Sequence, residues 1–376
     1  MTRASPEAHD DLMAAARRTA PVFAGAQLVA MRELLGQSQA DLAESLGISQ
    51  SALSQAERGE TTLSTANIAL AALLLEVEPE AFADRPAFDV ILAPQFRHLK
   101  RTPRREQLRA ERFVQATAQV ARGLREEVVF PDPFEYAHHI DPDLEIESAA
   151  EQVELAAARA REALKLAPDR PISEDLVDDL ESGGITIVRD PETDRDIDAY
   201  SAIVDDLPII VLDGGEESVW DRDNFNLAHE LGHLVMHRGS ERRPGTRTVE
   251  AQANRFAGAF LGPAPALESE LPSELDWACY LDLKRTWGLS MAALARRAKD
   301  IGRIDEATYT RAMKQRSAFG WRRVEPGSTD RALPTPTHLS RASDLAGLSP
   351  DDIARRVLLP CDVVSRILGT QRPTLV

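Results

Sequence analysis

The sequence predicts an α+β fold that is mostly helical: an all-α helix-turn-helix head, a body with a small β-sheet and a metal-binding helix pair, and a helical C-terminal part. Three observations predict it. Ser38 and Ser49 stand at the starts of two short amphipathic runs separated by Gly47. His229-Glu230-Leu231-Gly232-His233 lies inside an apolar helical pattern, and Glu250 opens a second helical run that stops at Pro263. Capping serines, a turn glycine and a 3.6-residue apolar period are local signals that do not depend on the rest of the fold.

At 376 residues with 43% hydrophobic content, the chain has room for two or three domains with real cores. Its two cysteines, Cys279 and Cys361, have no histidine neighbours and read as core residues of a reducing compartment. The first thirty residues carry acids and no continuous apolar block, and the longest apolar run, Ile68 to Leu75, is far too short to span a bilayer. The expectation is a soluble, cytoplasmic protein with no membrane partner. A formal net charge of −17 argues against nucleic-acid binding by the whole surface, because phosphate contacts need clustered lysine and arginine.

Residues 1–20 read as a flexible tail and 21–84 as a helix-turn-helix domain. Its helices are expected at Leu28 to Leu35, Ser38 to Leu46 and Ser49 to Arg58, with Gly47 turning the chain between the second and third. Ser38 and Ser49 are natural N-caps, and Asp41 completes a capping-box-like start. The third helix should present Gln50, Ser51, Ser54 and Gln55 outward, with Ser49 at its start, while Ala52, Leu53 and Ala56 turn inward. Small polar and amide side chains at a helix start can reach base edges in a major groove, and Gln39 could touch a phosphate, so these residues are the candidate DNA contacts. The stretch has Arg32 and Arg58 against eight acids, among them Glu33, Asp41, Glu44 and Glu57. Its own affinity for DNA should therefore be poor and salt-sensitive unless a homodimer or the following basic run compensates. The alternative is a helix-turn-helix kept for protein contacts.

Residues 85–145 form a basic helical connector: Arg97, Lys100, Arg101, Arg104, Arg105, Arg109 and Arg112 face only Glu106 and Glu111. A solvated helix face or linker is the plain reading, a DNA-touching segment the other. Phe130-Pro-Asp-Pro-Phe134 through Pro142 breaks helices and marks a joint, after which Ala149 to Leu166 is an alanine-rich helix opening a core at 146–265.

Within that core, His229 and His233 are four residues apart, hence one above the other on a helix, roughly 6 Å along the axis at about 1.5 Å per residue. Two imidazoles so placed can grip one metal ion, and Glu230 beside them suits a carboxylate that takes a proton from a water acidified by the cation. The pattern reads as a hydrolase site of the metalloprotease kind. Glu250 supplies a third ligand, and Asn254, four residues on, shares its face and can fix the tautomer of a ligand imidazole. The plain readings are a chance motif match and, for Asn254, a surface residue. His237 reads first as a cap or surface residue at the helix end, and second as a group touching substrate or metal.

Two resemblances follow from these residues. Ser38-Gln39, Leu42-Ala43, Leu46-Gly47-Ile48-Ser49, Ser54 and Glu57-Arg58-Gly59 resemble the Xre (Cro/C1-type) helix-turn-helix family. Together with Ala228-His-Glu-Leu-Gly-His-Leu234 and Glu250 to Pro263, the chain resembles the ImmA/IrrE family of metallo-endopeptidases fused to such a head, from Gly25 to about Pro326. The likeness includes Phe96-Arg97, three short strands at Gly183 to Val188, Tyr200 to Asp205 and Pro208 to Asp213, a helix from Leu289 to Asp300, and Gly320-Trp321 and Glu325-Pro326. Gln252 departs from it, since relatives often carry a second acid there. The resemblance implies a gluzincin-like, zinc-dependent endopeptidase of bacteria, with Mn2+ as another ion suited to the site. Relatives cleave helix-turn-helix repressors and so control stress or mobile-element genes, which implies a repressor substrate and operator DNA as partners. A substrate strand would pair with an exposed edge at Pro208 to Asp213. Tyr200 or His237 would assist the oxyanion.

The remaining chain reads as a helical extension over 266–326, and as a linker around Pro334 with a small two-helix appendage over 327–376. Two other functions stay open at this stage: a metal- or ligand-sensing regulator that cuts nothing, and a toxin-antitoxin or phage-immunity component.

Overall fold

The computed structural model describes residues 6–84, 91–95, 103–172, 175–193, 197–215, 218–238 and 246–370. In chain order these form α1 (Pro6–Thr19), α2 (Gly25–Leu34), α3 (Gln39–Ser45), α4 (Gln50–Glu57), α5 (Thr65–Leu74), β1 (Ile91–Gln95) and α6 (Arg104–Arg125). Then follow α7 (Ile146–Ala163), α8 (Leu176–Ser182), β2 (Thr186–Asp190), β3 (Ala199–Val204), β4 (Leu207–Asp213), α9 (Trp220–Met236) and α10 (Arg247–Leu261). The chain closes with α11 (Ala264–Leu267), α12 (Trp277–Trp287), α13 (Met291–Asp300), α14 (Glu306–Ala318), α15 (His338–Ala346), α16 (Pro350–Val357) and α17 (Cys361–Ile367). The fold is α+β and mostly helical. No described helix is long and apolar enough to cross a membrane.

Two compact units emerge, one from Met1–Ile91, Arg101–Val129 and Thr337–Val376, the other from Leu92–Lys100 and Phe130–Pro336. In the first, Ser38 and Ser49 accept hydrogen bonds from the Asp41 and Ala52 amides at 3.1 Å, capping α3 and α4. Leu28, Met31, Leu34, Leu42, Leu53 and Ile68 form the core of the bundle. Gly25 lets the start of α2 meet the end of α4, where an added Cβ would lie 2.0 Å from the Ala56 carbonyl oxygen. Ala52, expected inside, is exposed. At 100° per residue it sits a quarter-turn from Leu53, and the inward stripe is only wide enough for Leu53 and Ala56.

Pro6–Thr19, read from the sequence as part of a flexible tail, is helix α1, which buries Ala15 and Ala16 and packs on α5. Helix α6 carries four of the seven basic residues of the run; Arg97, Lys100 and Arg101 lie outside the described residues, as does the Phe96-Arg97 pair. On α6, Arg109 is buried beside Glu106 and Arg112 bonds Glu33 at 2.9 Å, so these two arginines are structural links and not a solvated face. Helix α6 also receives the C-terminal appendage: α15, α16 and α17 pack on it, and Arg366 lies over the Phe113 ring.

The second unit is built on a four-stranded sheet in the order β1-β3-β4-β2. β2 runs parallel to β4 and β3 antiparallel to it, with Ser201 opposite Ile210. This places β4 inside the sheet, paired on both sides. The expected substrate-pairing edge at Pro208 to Asp213 therefore does not exist; the edge positions belong to β1 and β2. A strand's own sequence cannot say whether it is central, because that is set by the partners it meets. The strand expected from Gly183 starts instead at Thr186, since Gly183 caps α8. β1 arises from a stretch read as part of a helical connector.

One sheet face, carrying Ala199, Ile203, Ile210 and Leu212, shares a core with Leu227, Ala228 and Leu231 of α9 and with Phe256 and Phe260 of α10. Helix α10 packs between α9 and the alanine-rich α7, whose Ala149, Ala156, Ala157 and Ala160 are buried. Small side chains on α7 allow the close helix approach that holds α10 against α9.

Candidate metal centre

Helix α9 begins with Asp221 and Asp223 in its first turn, favourable against the N-terminal end of the helix dipole, and buries Leu227, Ala228, Leu231, Leu234 and Val235. His229 and His233, also buried, lie on the other side of the helix from that apolar stripe, with ring centroids 4.7 Å apart. Helix α10 is capped by Thr246, which accepts from the Val249 amide, and Glu250 falls in its first turn. Gly232 sits where the two helices cross, with the Phe256 ring directly against it. The absent side chain brings the glutamate of one helix to the histidines of the other.

The His229 and His233 Nε2 atoms are 3.1 Å apart, and Glu250 Oε2 lies 3.3 Å and 3.7 Å from them. All three side chains are buried, and their ligand atoms lie within 4.8 Å of one another. Burial drives the His233 imidazole down to about 3, against the raising influence of Glu250. Burial works to raise the Glu250 carboxyl, but the bonds and charges of His229 and His233 outweigh it and hold it below the usual carboxylate range. Near neutral pH, His233 is therefore neutral and Glu250 anionic.

The outer nitrogens are also engaged. His229 Nδ1 lies 3.1 Å from Asn254 Oδ1, an acceptor, so its proton sits at Nδ1 and the Nε2 lone pair faces the cluster. His233 Nδ1 lies 3.1 Å from His237 Nδ1. Imidazole lone pairs and a carboxylate oxygen converging in a buried space are the donor set a divalent cation requires, so the residues present fit one.

Glu230, the buried carboxylate next to His229, accepts a 2.6 Å hydrogen bond from Ser201 Oγ. Tyr200, expected from the sequence to assist the oxyanion, is the neighbouring residue on β3. Successive strand residues point to opposite faces, and Ser201 points at α9, so Tyr200 points away from it and is no oxyanion donor. A single small hydroxyl in the otherwise apolar or aromatic strand Ala199–Val204 was the available signal. His237 is no surface residue either: it is buried at the C-cap of α9 with its Nε2 2.8 Å from Gln252 Oε1. Its Nδ1 faces the outer nitrogen of His233, so both ring nitrogens are engaged and neither is turned toward the ligand atoms as an oxyanion donor would be.

In the head, Gln50, Ser51 and Gln55 are exposed on α4, whereas Ser54 is half-buried and accepts from Arg58 at 2.5 Å. Ser49 spends its hydroxyl on the cap. Gln39 donates to Glu57 at 2.7 Å and accepts from Gln50 at 3.2 Å, so the helix-two glutamine and the first residue of α4 form one connected polar surface. Arg32 is tied to the same Glu57 at 2.8 Å.

Residues 180–299 match the peptidase M78 family, described as IrrE N-terminal-like domain, and residues 28–82 match the helix-turn-helix family. The first match spans His229, Glu230, His233, Glu250 and Asn254; the second spans Gln39 through Gln55. No curated protein matches the chain. An N-terminal Xre-type helix-turn-helix, a DNA-binding type of domain, is thus joined to a metallopeptidase-type domain of the IrrE kind.

Proposed function

We propose that this chain, a helix-turn-helix joined to an IrrE-type peptidase domain, is a bacterial regulatory zinc endopeptidase that cuts a helix-turn-helix repressor in the cytoplasm and contacts operator DNA through its head. The observation that carries this reading is Glu230: a buried carboxylate held by Ser201 beside three convergent ligand groups, where a pure metal sensor has no use for a base. His229, His233 and Glu250 would hold the ion, with Zn2+ the ion best suited to two imidazoles and a carboxylate and Mn2+ the other. When bound, the cation supplies Lewis acidity to a peptide carbonyl and to water.

The chain's own residues do the rest. Glu230 takes a proton at its carboxylate and passes it to the departing amine, and Ser201 keeps that carboxylate oriented. Asn254 holds the His229 ring in the tautomer that turns its lone pair inward. Gln50, Ser51 and Gln55, exposed on α4, are the groups that would read base edges, with Gln39 steadied behind them. A homodimer would let two heads read two half-sites.

The deciding experiment compares the wild type with Glu230→Gln, both zinc-loaded, against co-expressed repressors from neighbouring genes. Cleavage by the wild type alone is expected. Cleavage by both, or by neither while DNA binding still responds to metal, would leave a sensing regulator in place of a peptidase.

A further inference from the structure

Gln252 Nε2 lies 3.0 Å from the Asp141 carbonyl oxygen and 2.7 Å from the Leu144 carbonyl oxygen. Backbone carbonyls only accept, so both amide hydrogens of Gln252 are committed to them and its Oε1 must face the other way. That oxygen is 2.8 Å from His237 Nε2, which must therefore carry the imidazole proton. A neutral imidazole has one ring proton, and the bond to Gln252 commits that proton of buried His237 to Nε2, so its Nδ1 is a lone pair. Across 3.1 Å stands His233 Nδ1, which must donate. A neutral His233 with its proton at Nδ1 leaves the Nε2 lone pair turned toward His229 and Glu250.

We infer that His237 and Gln252 are positioning residues: a hydrogen-bond relay, anchored on the Asp141 and Leu144 carbonyls, that locks ligand His233 in its metal-binding tautomer. The direction of every bond follows from two groups that cannot change role, the carbonyls at the far end. The same segment is tied to the end of α9 by two backbone bonds, His138 amide to Val235 carbonyl at 2.9 Å and Ile140 amide to Met236 carbonyl at 3.2 Å. The anchor and the ligand helix therefore move together. Gln252 also cannot be an acid in this role without setting a carboxylate against two carbonyl oxygens.

The relay rests on the metal-centre reading, but its test does not need catalysis. With only eight histidines in the chain, 15N-labelled imidazole spectra can report each tautomer in the apo and zinc-loaded protein. The expected result is His237 protonated at Nε2 in both states and His233 protonated at Nδ1 when loaded. His237→Phe keeps the volume and removes the acceptor; Gln252→Leu removes the anchor. Each should weaken zinc affinity, read by competition with a chelating indicator, by about 10- to 100-fold, with the apo protein still folded by circular dichroism. Gln252→Glu sets a carboxylate against the Asp141 and Leu144 carbonyls and should not restore the affinity lost in Gln252→Leu. A His237 proton at Nδ1, or His237→Phe and Gln252→Leu both binding zinc like the wild type, would overturn the relay. Should the wild type take up no zinc at all, the peptidase reading fails separately, and the apo spectrum still decides the relay.

Discussion

Gly232 and Phe256 meet so closely that a Cβ on the glycine would lie 2.9 Å from the Phe256 Cδ1 atom. Three residues before Gly232 is His229, one after it is His233, and six before Phe256 is Glu250. The approach of α9 and α10 at this one point sets the spacing of all three candidate ligands. Substituting Gly232→Ala must push the helices apart or force the buried phenylalanine ring off its rotamer. A loss of about 1–3 kcal/mol in stability is expected, together with weaker zinc binding. Phe256→Leu in the same chain should restore part of both, measured by denaturant unfolding and zinc titration; an alanine that leaves both quantities unchanged would show that the contact does not set the spacing.

Ser201 is buried and its hydroxyl donates to the Glu230 carboxylate at 2.6 Å. Hydrogen bonds to a charged group contribute about 1.5–3 kcal/mol, so Ser201→Ala should lower kcat by about tenfold or more while leaving zinc affinity near that of the wild type. Ser201→Thr, which keeps the hydroxyl, should retain more activity than alanine. Equal kcat in all three proteins would remove the positioning role of Ser201.

Acid should destabilise the metal-free protein through the ligand residues. In the unfolded chain a histidine takes its proton near pH 6.5, whereas burial holds folded His233 to about 3. Between those values the unfolded state binds more protons, so stability is fully present above about pH 6.5 and declines as the pH falls toward 3. Glu250, held below the usual carboxylate range, adds a loss of the same sign below about pH 4.5. The slope is at most about 1.4 kcal/mol per pH unit for each group. Melting temperatures of apo protein from pH 7 to 4 should fall more steeply in the wild type than in His233→Leu, provided the variant folds; parallel curves would count against the assignment.

Lys284 is fully buried, 2.6 Å from Ser328 Oγ, 3.2 Å from Asp221 and 3.6 Å from Glu325. Glu325 in turn accepts from the Met291 and Ala292 amides and from Arg316. This network joins the first turn of α9 to α12, α13 and α14. Lys284→Met takes the cation from buried Asp221 and removes one of the partners of Glu325, and should cost about 3–5 kcal/mol, seen as a lower midpoint in urea. A change under about 1 kcal/mol would mean that the cluster relaxes or hydrates on losing the lysine.

Much of the site was legible because it is written at short range. The four-residue spacing of His229 and His233, the apolar stripe around them and the capping serines of the head are properties of a few consecutive residues, and a helix turns them into geometry directly. The roles of Ser201, Tyr200 and His237 were not legible in that way. Whether Ser201 or its neighbour Tyr200 meets Glu230 depends on which face of β3 turns toward α9, and one residue of register reverses it. His237 looked like a helix end because its partner Gln252 lies on another helix, and Gln252's own anchors lie more than a hundred residues earlier.

By itself, then, the sequence determined the α+β and mostly helical character, the helix-turn-helix spacing, the pair of histidines and the acid between them. Only the tertiary structure decided that β4 is interior, that the C-terminal helices return to α6, that Ser201 steadies Glu230 and that His237 backs His233. The physical reason is the range over which each is specified. Periodicity and capping act within one or two turns of chain, whereas strand order, helix crossing and the direction of a buried hydrogen bond are settled between segments whose proximity no local pattern encodes.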